Sequence, residues 1–225
     1  MDKGKILLMI GSPRKDRSTS YSIGKYLLDN LMKCDYTNKT VYVYDCINNE
    51  KNSEEMSELF NDSDLIIFSY PLYVDSIPAP CIKVLEYITE KRQGMKCQAK
   101  NAFLAIGNCG FYEKEQIQNS LNVCKFFAEE NSLNWYGGIS IGGGPQINGK
   151  NLKKLGGMTK KLREGLDIVV DSIDYKRPIP MEEVNKLTSP PEGKNIYSLM
   201  ANLGFKLQAK RNGLLKNIND TPYKE

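Results

Sequence analysis

The sequence predicts an α/β protein with a five-stranded parallel sheet and helices on both of its faces. Five short apolar or β-branched segments are spaced along the chain as strands. Apolar residues at helical spacing follow each of them. The first segment, residues 6–10, shows no alternation of apolar and polar residues, which is typical of a strand buried on both faces. Strands that alternate with helices predict a doubly wound parallel sheet with right-handed crossovers.

The elements follow from these patterns in chain order. The predicted strands are residues 6–10, 36–45, 64–69, 101–106 and 135–141. The predicted helices cover about 19–33, 53–61, 78–91, 117–128 and 162–173. Beyond them, residues 177–180 and 188–193 resemble linkers. Another apolar stripe follows at Ile196, Leu199, Met200, Leu203 and Leu207.

Composition bounds the possible functions of the 225 residues. The formal charge of +4 is small and scattered, so we expect no nucleic-acid partner. No apolar run reaches the roughly 20 residues of a membrane span, and no secretory leader is visible, so we expect no membrane partner. The absence of histidine excludes Ser-His-Asp and Cys-His catalysis.

The cysteines predict free thiols in a reducing, cytoplasmic protein. They are widely spaced, without a C-x-x-C pair, so we expect no metal or iron–sulfur site. The six are Cys34, Cys46, Cys81, Cys97, Cys109 and Cys124.

The loop after the first strand has the residue types of a phosphate site. Free N–H groups at a helix start attract anions, and hydroxyls with an arginine fork add donors. The sequence lacks both the Walker A pattern and G-x-G-x-x-G, which favours a mononucleotide phosphate. The alternative is that a serine or threonine caps the helix and the arginine is a solvated charge. The candidate residues are Ser12, Arg14, Ser18, Thr19 and Ser20.

Two further loops leave the carboxyl ends of strands. Residues 70–76 follow the third strand, and residues 107–112 follow the fourth. Because ligands of such sheets bind beyond the carboxyl ends of the strands, these loops and the first are expected to meet at one ligand.

Together, GSPRKDRSTS after the first strand and YPLYVDSIPAP after the third resemble the flavodoxin-like NAD(P)H-dependent FMN reductase family. The resemblance covers residues 3–173 as an order of elements. It implies a three-layer sandwich with strand order 2-1-3-4-5, and an FMN-binding domain over residues 1–175. Residues 176–225 are then a C-terminal helical extension that packs on the core or on a second subunit.

The resemblance also implies roles for the loops. The first binds the FMN phosphate, the second lies along the isoalloxazine ring, and the third closes the other side of the ring. Asp16 and Arg17 depart from the family's usual small residues, so Asp16 must turn outward or pair with a cation. The ring-side residues are Pro71, Leu72, Tyr73, Val74, Asp75, Asn108, Cys109, Gly110 and Phe111.

The activity that the resemblance implies is an FMN-dependent oxidoreductase. NADH or NADPH gives a hydride to the flavin N5, and a quinone, nitro- or azo-aromatic, or flavin then takes the electrons in a ping-pong reaction. No side chain needs to act as a catalytic residue, because the cofactor carries the chemistry. A homodimer is expected, since relatives often complete the flavin site at a subunit interface.

Several alternatives stay open. Tyr73 either stacks on the ring or is a core aromatic. Cys109 is either redox-active or an unreactive loop thiol, and the lack of a neighbouring base favours the second. Residues 142–144 either admit a nicotinamide or form a mobile connection, which we favour. The alternatives to a reductase are a flavodoxin-type electron carrier and a flavin-binding sensor without turnover.

Overall fold

The fold is a parallel sheet, as the sequence predicts. The computed structural model describes residues 3–93, 101–189 and 194–221. All the strand pairings are parallel, and the strands lie in the order β2-β1-β3-β4-β5. The strands are β1 (Gly4–Ile10), β2 (Tyr36–Tyr42), β3 (Leu65–Pro71), β4 (Ala102–Asn108) and β5 (Asn134–Ile141).

Helices connect the strands and extend past them. The α-helices are α1 (Thr19–Leu31), α2 (Val43–Cys46), α3 (Glu50–Asp62), α4 (Ala79–Arg92), α5 (Gln118–Glu130), α6 (Gly144–Ile147), α7 (Lys160–Asp174), α8 (Met181–Leu187) and α9 (Lys194–Arg211). Short 3₁₀ segments are Lys15–Arg17, Met32–Cys34, Lys114–Ile117, Leu152–Thr159 and Leu215–Asn217.

The sheet separates two apolar layers. Alternate residues of β1 point to opposite faces, so Leu8 packs in the layer of α1 and α7, whereas Leu7 and Met9 pack with α3, α4 and α5. Both faces of β1 and β3 are therefore buried. This explains why these strands show no alternation in the sequence.

Two segments differ from the sequence prediction. The second strand ends at Tyr42, and residues 43–46 form the short helix α2. Val43 and Cys46 are three residues apart and both buried, so a helical turn puts them on the same apolar face. The predicted connection over residues 142–144 leads directly into the short helix α6, residues 144–147, which the sequence did not predict. Gly143 precedes it with a left-handed φ of 69°.

The helix α8 was missed from the sequence, and it covers the outer edge of the sheet. Within β5, the edge strand, the Ser140 N–H donates to Asn185 Oδ1 at 2.9 Å. The Ser140 carbonyl accepts from Thr188 Oγ1 at 2.8 Å. Met181 Sδ lies so close to Gly137 that a Cβ there would meet it at 2.5 Å. The side chains of α8 thus bond the free strand edge, which would otherwise invite pairing with another chain.

Contacts divide the chain into two compact units, Met1–Ser189 and Pro190–Glu225. The second unit holds α9, in which Leu199, Leu203 and Leu207 are exposed. The side chains of Ile196 and Met200, and the predicted linker residues 190–193, lie outside the described part. The C-terminal extension over residues 176–225 and its packing stay predictions.

Among the described residues, none of the helices has both the length and the apolar character that a membrane span needs.

Replacing Val184 by Ala is expected to lower the free energy of unfolding by about 1.5–3 kcal/mol, because two buried methyl groups of α8 are lost. Urea unfolding measures this difference. Lys186→Ala, at an exposed position of the same helix, should change stability by less than about 0.5 kcal/mol. Equal effects of the two substitutions on the free energy of unfolding would mean that the buried side chain of Val184 does not stabilise the first unit.

Candidate functional site

A cavity of about 360 Å³ lies at the carboxyl ends of the strands. The loops after β1, β3, β4 and β5 line it. The lining residues are Ser12, Arg14, Ser18, Thr19, Ser20, Pro71, Leu72, Tyr73, Asn108, Cys109, Gly110, Gly144, Pro145 and Asn148.

The structure brings all three predicted loops to this cavity. Every candidate of the first loop lines it, and so do most candidates of the other two. Val74, Asp75 and Phe111 do not line it, and all three are exposed. Pro145 and Asn148, from the loop after β5, were not predicted, and Gly144 of the same loop was considered only in the nicotinamide alternative that we did not favour.

Two hydroxyl groups of the first loop form hydrogen bonds within the protein. Ser18 is the N-cap of α1: its Oγ accepts from the Tyr21 N–H at 3.0 Å and donates to the Lys15 carbonyl at 2.6 Å. Thr19 Oγ1 donates to the Gly144 carbonyl at 2.8 Å. These two side chains therefore shape the loop, and their hydroxyl hydrogens are not available to a ligand.

Other donors of the same loop remain for a ligand. Ser12 Oγ accepts from the Arg14 N–H at 3.3 Å, and Ser20 Oγ accepts from Asn108 Nδ2 at 2.9 Å. Each of these serines keeps its own hydroxyl hydrogen. The N–H groups of Thr19 and Ser20 belong to the first turn of α1, where the helix supplies no acceptors. Ser12, Thr19 and Ser20 all line the cavity, so the positive end of the α1 dipole lies at its wall.

Asn108 joins three loops at the base of the cavity. It is buried, and its Nδ2 donates both to Ser20 Oγ at 2.9 Å and to the Tyr70 carbonyl at 2.8 Å. Its own carbonyl accepts from the Leu72 N–H at 2.7 Å. The amide at the end of β4 thus fixes the first and second loops to each other.

The second loop ends in a tight turn. The N–H and carbonyl of Tyr73 bond reciprocally with those of Ser76, at 3.0 and 3.1 Å. The two residues between them, Val74 and Asp75, have left-handed φ angles of 49° and 55°. This conformation is unusual for a β-branched residue such as valine. The turn holds Tyr73 at the cavity, where its side chain is 46% exposed, so Tyr73 is not a core aromatic.

The loop after β5 is hydrogen-bonded to the third loop. The N–H of Gly144 donates to the Cys109 carbonyl at 2.8 Å, and the N–H of Gly143 donates to the Phe111 carbonyl at 2.9 Å. Together with the bond from Thr19 Oγ1 to the Gly144 carbonyl, these bonds join the segment to both the first and the third loops, and the mobility expected from its glycines stays a prediction. The signal in the sequence was its position, since β5 also ends at this edge of the sheet.

The charges around the first loop leave the cavity positive. Lys15 Nζ forms an ion pair with Asp45 Oδ1 at 2.5 Å, and neither residue lines the cavity. The charge of Lys15 is therefore balanced outside the cavity. Asp16 is exposed and does not line the cavity. The unfavourable carboxylate thus turns outward, one of the two arrangements expected from the sequence, and Arg14 is the cation that lines the cavity.

Cys109 lines the cavity as a buried thiol. Burial raises its pKa above the usual range, and a backbone hydrogen bond with Phe111 lowers it by a smaller amount. Glu113 and Glu115 raise the pKa further. The thiol is therefore protonated at neutral pH, which favours the unreactive alternative. All five described cysteines are free, and Cys97 lies outside the described residues.

A larger groove, of about 820 Å³, lies between α4 and α5. Apolar side chains line it together with four carboxylates, Glu86, Glu90, Glu129 and Glu130. These carboxylates would repel a phosphate. The groove is therefore a poorer candidate for a nucleotide site than the smaller cavity, despite its larger volume.

Comparisons with known proteins agree with this geometry. A family model described as flavodoxin-like fold matches residues 4–107. An azoreductase from Bacillus anthracis str. Sterne superposes with a TM-score of 0.53 at 15% identity, covering 78% of this chain and 100% of that one. An NADH:FMN oxidoreductase in its apo form gives a TM-score of 0.59 at 15% identity, covering 84% and 97%.

An NAD(P)H:quinone oxidoreductase from Methanothermobacter marburgensis gives a TM-score of 0.55 at 12% identity, covering 76% of this chain and 94% of that one. No protein of curated function matches the sequence. The chain has a flavodoxin-like fold, and its predicted resemblance to flavodoxin-like reductases is confirmed at the level of the fold.

Cys109 is expected to react with iodoacetamide far more slowly than a free thiol at about pH 7.5, because its raised pKa keeps it protonated and it is buried. Its labelling rate should rise only above the usual cysteine pKa of about 8.5. Mass spectrometry of the labelled peptide measures the rate, with urea-unfolded protein as the reference. Labelling as fast in the native protein as in urea would contradict the protonated, buried state.

Proposed function

We propose that this protein is an FMN-dependent oxidoreductase that uses NADH or NADPH to reduce bound FMN and then a small acceptor, by a ping-pong mechanism. The observation that carries the proposal is the convergence of four strand-end loops on one cavity, whose lining combines a cation and hydroxyl donors with apolar side chains. We assign the first set to a cationic end of the cavity and the second to an apolar end. The similar azoreductase, NADH:FMN oxidoreductase and quinone oxidoreductase folds support the same activity.

The cationic end fits a phosphate. Ser12 and Ser20 supply hydroxyl donors, the first turn of α1 supplies N–H groups, and Arg14 supplies a permanent positive charge. A phosphate monoester carries close to two negative charges and three acceptor oxygens at neutral pH, so this donor set suits it. A neutral ligand would leave the charge of Arg14 unbalanced.

The other end fits a flat aromatic ring. Leu72, Tyr73 and Pro145 provide apolar surface on the lining, and Cys109 contributes a neutral thiol. The volume of about 360 Å³ lies within the range of small-molecule and cofactor sites. We place the isoalloxazine ring against Leu72 and Tyr73, with the backbone of the second loop beside its polar edge and Val74 and Asp75 beyond.

The lining side chains would bind and orient the cofactor without transferring protons. The titratable groups among them are Arg14, Tyr73 and Cys109, and the chain has no histidine. When bound, FMN supplies the hydride and electron chemistry itself, at N5 of its ring. The protein then has to hold the ring, neutralise the phosphate and leave one face open to the nicotinamide and the acceptor.

The edge of the cavity is suited to an aromatic acceptor. Tyr73 and Phe111 are 46% and 58% exposed, and Val74 is 99% exposed. Apolar surface of this kind favours a quinone or an azo- or nitro-aromatic compound over a small charged acceptor. The azoreductase and the quinone oxidoreductase with similar folds support this class of acceptor.

We also propose a cytoplasmic homodimer. Support comes from the exposed apolar side chains Val123 and Phe126 in the groove between α4 and α5. Light scattering of the full chain tests the dimer, since a mass equal to one chain would contradict it.

Absorption spectroscopy of the purified protein with added FMN, followed by anaerobic NADH and then NADPH, tests the proposed function. We expect a bound flavin band that one or both nucleotides bleach. A band that neither nucleotide bleaches would indicate a carrier or a sensor. A protein that binds no FMN would overturn the proposal.

Replacing Arg14 by Ala is expected to raise the dissociation constant for FMN about 10- to 100-fold, because a charged hydrogen bond to phosphate is lost. Fluorescence quenching of free FMN measures the constant. Arg17→Ala is the matched control, since Arg17 is an exposed arginine of the same loop that does not line the cavity. Similar losses in both variants would point to general charge attraction instead of a phosphate contact.

A further inference from the structure

Arg14 is an exposed side chain that needs a partner to hold its position. A free arginine side chain samples many rotamers, and fixing it on binding costs conformational entropy. In this structure Arg14 Nη2 donates to Asn148 Oδ1 at 2.8 Å. Both side chains line the same cavity, although they lie on loops after different strands.

The side chain that accepts from Arg14, that of Asn148, is neutral, which is an advantage at a site for an anion. A carboxylate would hold an arginine more strongly, but it would also balance the positive charge and repel a phosphate. The nearby Lys15 has such a partner in Asp45 and does not line the cavity. The amide oxygen of Asn148 orients the guanidinium, whose remaining N–H groups and full charge stay available.

Asn148 is itself held in place by the backbone. It follows α6 with φ 45° and ψ 46°, a left-handed conformation that asparagine tolerates better than most residues. Its N–H donates to the Gly144 carbonyl at 3.2 Å. The same carbonyl accepts from Thr19 Oγ1 at 2.8 Å, so the loop of Asn148 is fixed to the loop of Arg14.

A second close contact joins the two loops at Gly149. Its φ is +75°, and a Cβ at this position would lie 2.3 Å from the carbonyl oxygen of Arg17. The backbones therefore approach as closely as glycine permits. Asn148 thus sits between two fixed points, Gly144 and Gly149, with its side chain on Arg14.

We infer that Asn148 is a positioning residue that holds Arg14 toward the phosphate end of the cavity and so sets a preference for FMN over its dephosphorylated form, riboflavin. The inference rests on the proposed function, because it concerns the same flavin site. It assigns the preference for phosphate to the loop after β5, outside the two motifs that predicted the site.

Dissociation constants for FMN and riboflavin, measured for the full chain by fluorescence quenching, test this role. Asn148→Gly removes the side chain and keeps the left-handed backbone unstrained. We expect FMN binding to weaken roughly tenfold and riboflavin binding to change less than about twofold. The exposed Lys150→Ala, in the same loop, is the control and should leave the FMN-to-riboflavin ratio unchanged.

A second pair of measurements tests whether Asn148 affects FMN binding by positioning Arg14. In an Arg14→Ala background, Asn148→Gly should cause no further loss of FMN affinity, since the group that it positions is gone. Asn148→Asp, which keeps the side-chain volume, should weaken FMN by at least as much as Asn148→Gly, because its carboxylate opposes the phosphate. It also provides the test if the glycine variant fails to fold.

The outcomes separate this inference from the proposed function. An equal loss for FMN and riboflavin would show a structural role of Asn148 and overturn the inference. So would an unchanged ratio in a protein that binds FMN tightly. If the unaltered protein binds no FMN, the proposed function itself fails and the inference fails with it.

Discussion

The hydrogen bonds of Asn108 organise the site. One buried amide at the end of β4 reaches the first loop at Ser20 and the second loop at the Tyr70 carbonyl, while its backbone holds Leu72. A buried amide without these partners would carry a large desolvation cost, so the loops and the amide stabilise each other. Because β1, β3 and β4 are parallel neighbours, their carboxyl ends bring these groups within bonding distance.

The first loop shows how one short segment serves two purposes. The hydroxyls of Ser18 and Thr19 build its shape, as a helix cap and as a tie to Gly144. Ser12, Ser20 and Arg14 then present their donors to the cavity. The helix-cap alternative that the sequence left open for Ser18 is therefore what the structure shows. It is compatible with a phosphate site, because the capped helix still offers its first N–H groups.

The helix α8 and the residue that follows it bond the free edge of the sheet. β5 is an edge strand, and its backbone groups at Ser140 are bonded by Asn185 and Thr188. Sequence patterns did not reveal this helix, which is short and follows the proline-containing residues 177–180. Its stability depends on the buried Val184 and on its bonds to the strand edge, and both exist only after folding.

The sequence patterns by themselves predicted the alternation of helices and strands and the three loops that meet at the cavity, whereas the strand order came from the family resemblance. The patterns could do so because buried parallel strands need continuous apolar runs, and because their connections obey fixed handedness. Only the tertiary structure decided that Asn108 ties the loops together, that residues 144–148 are hydrogen-bonded to the first and third loops, and that Arg14 is held by Asn148. These depend on atoms that lie up to 134 residues apart along the chain, where local periodicity carries no information about contact.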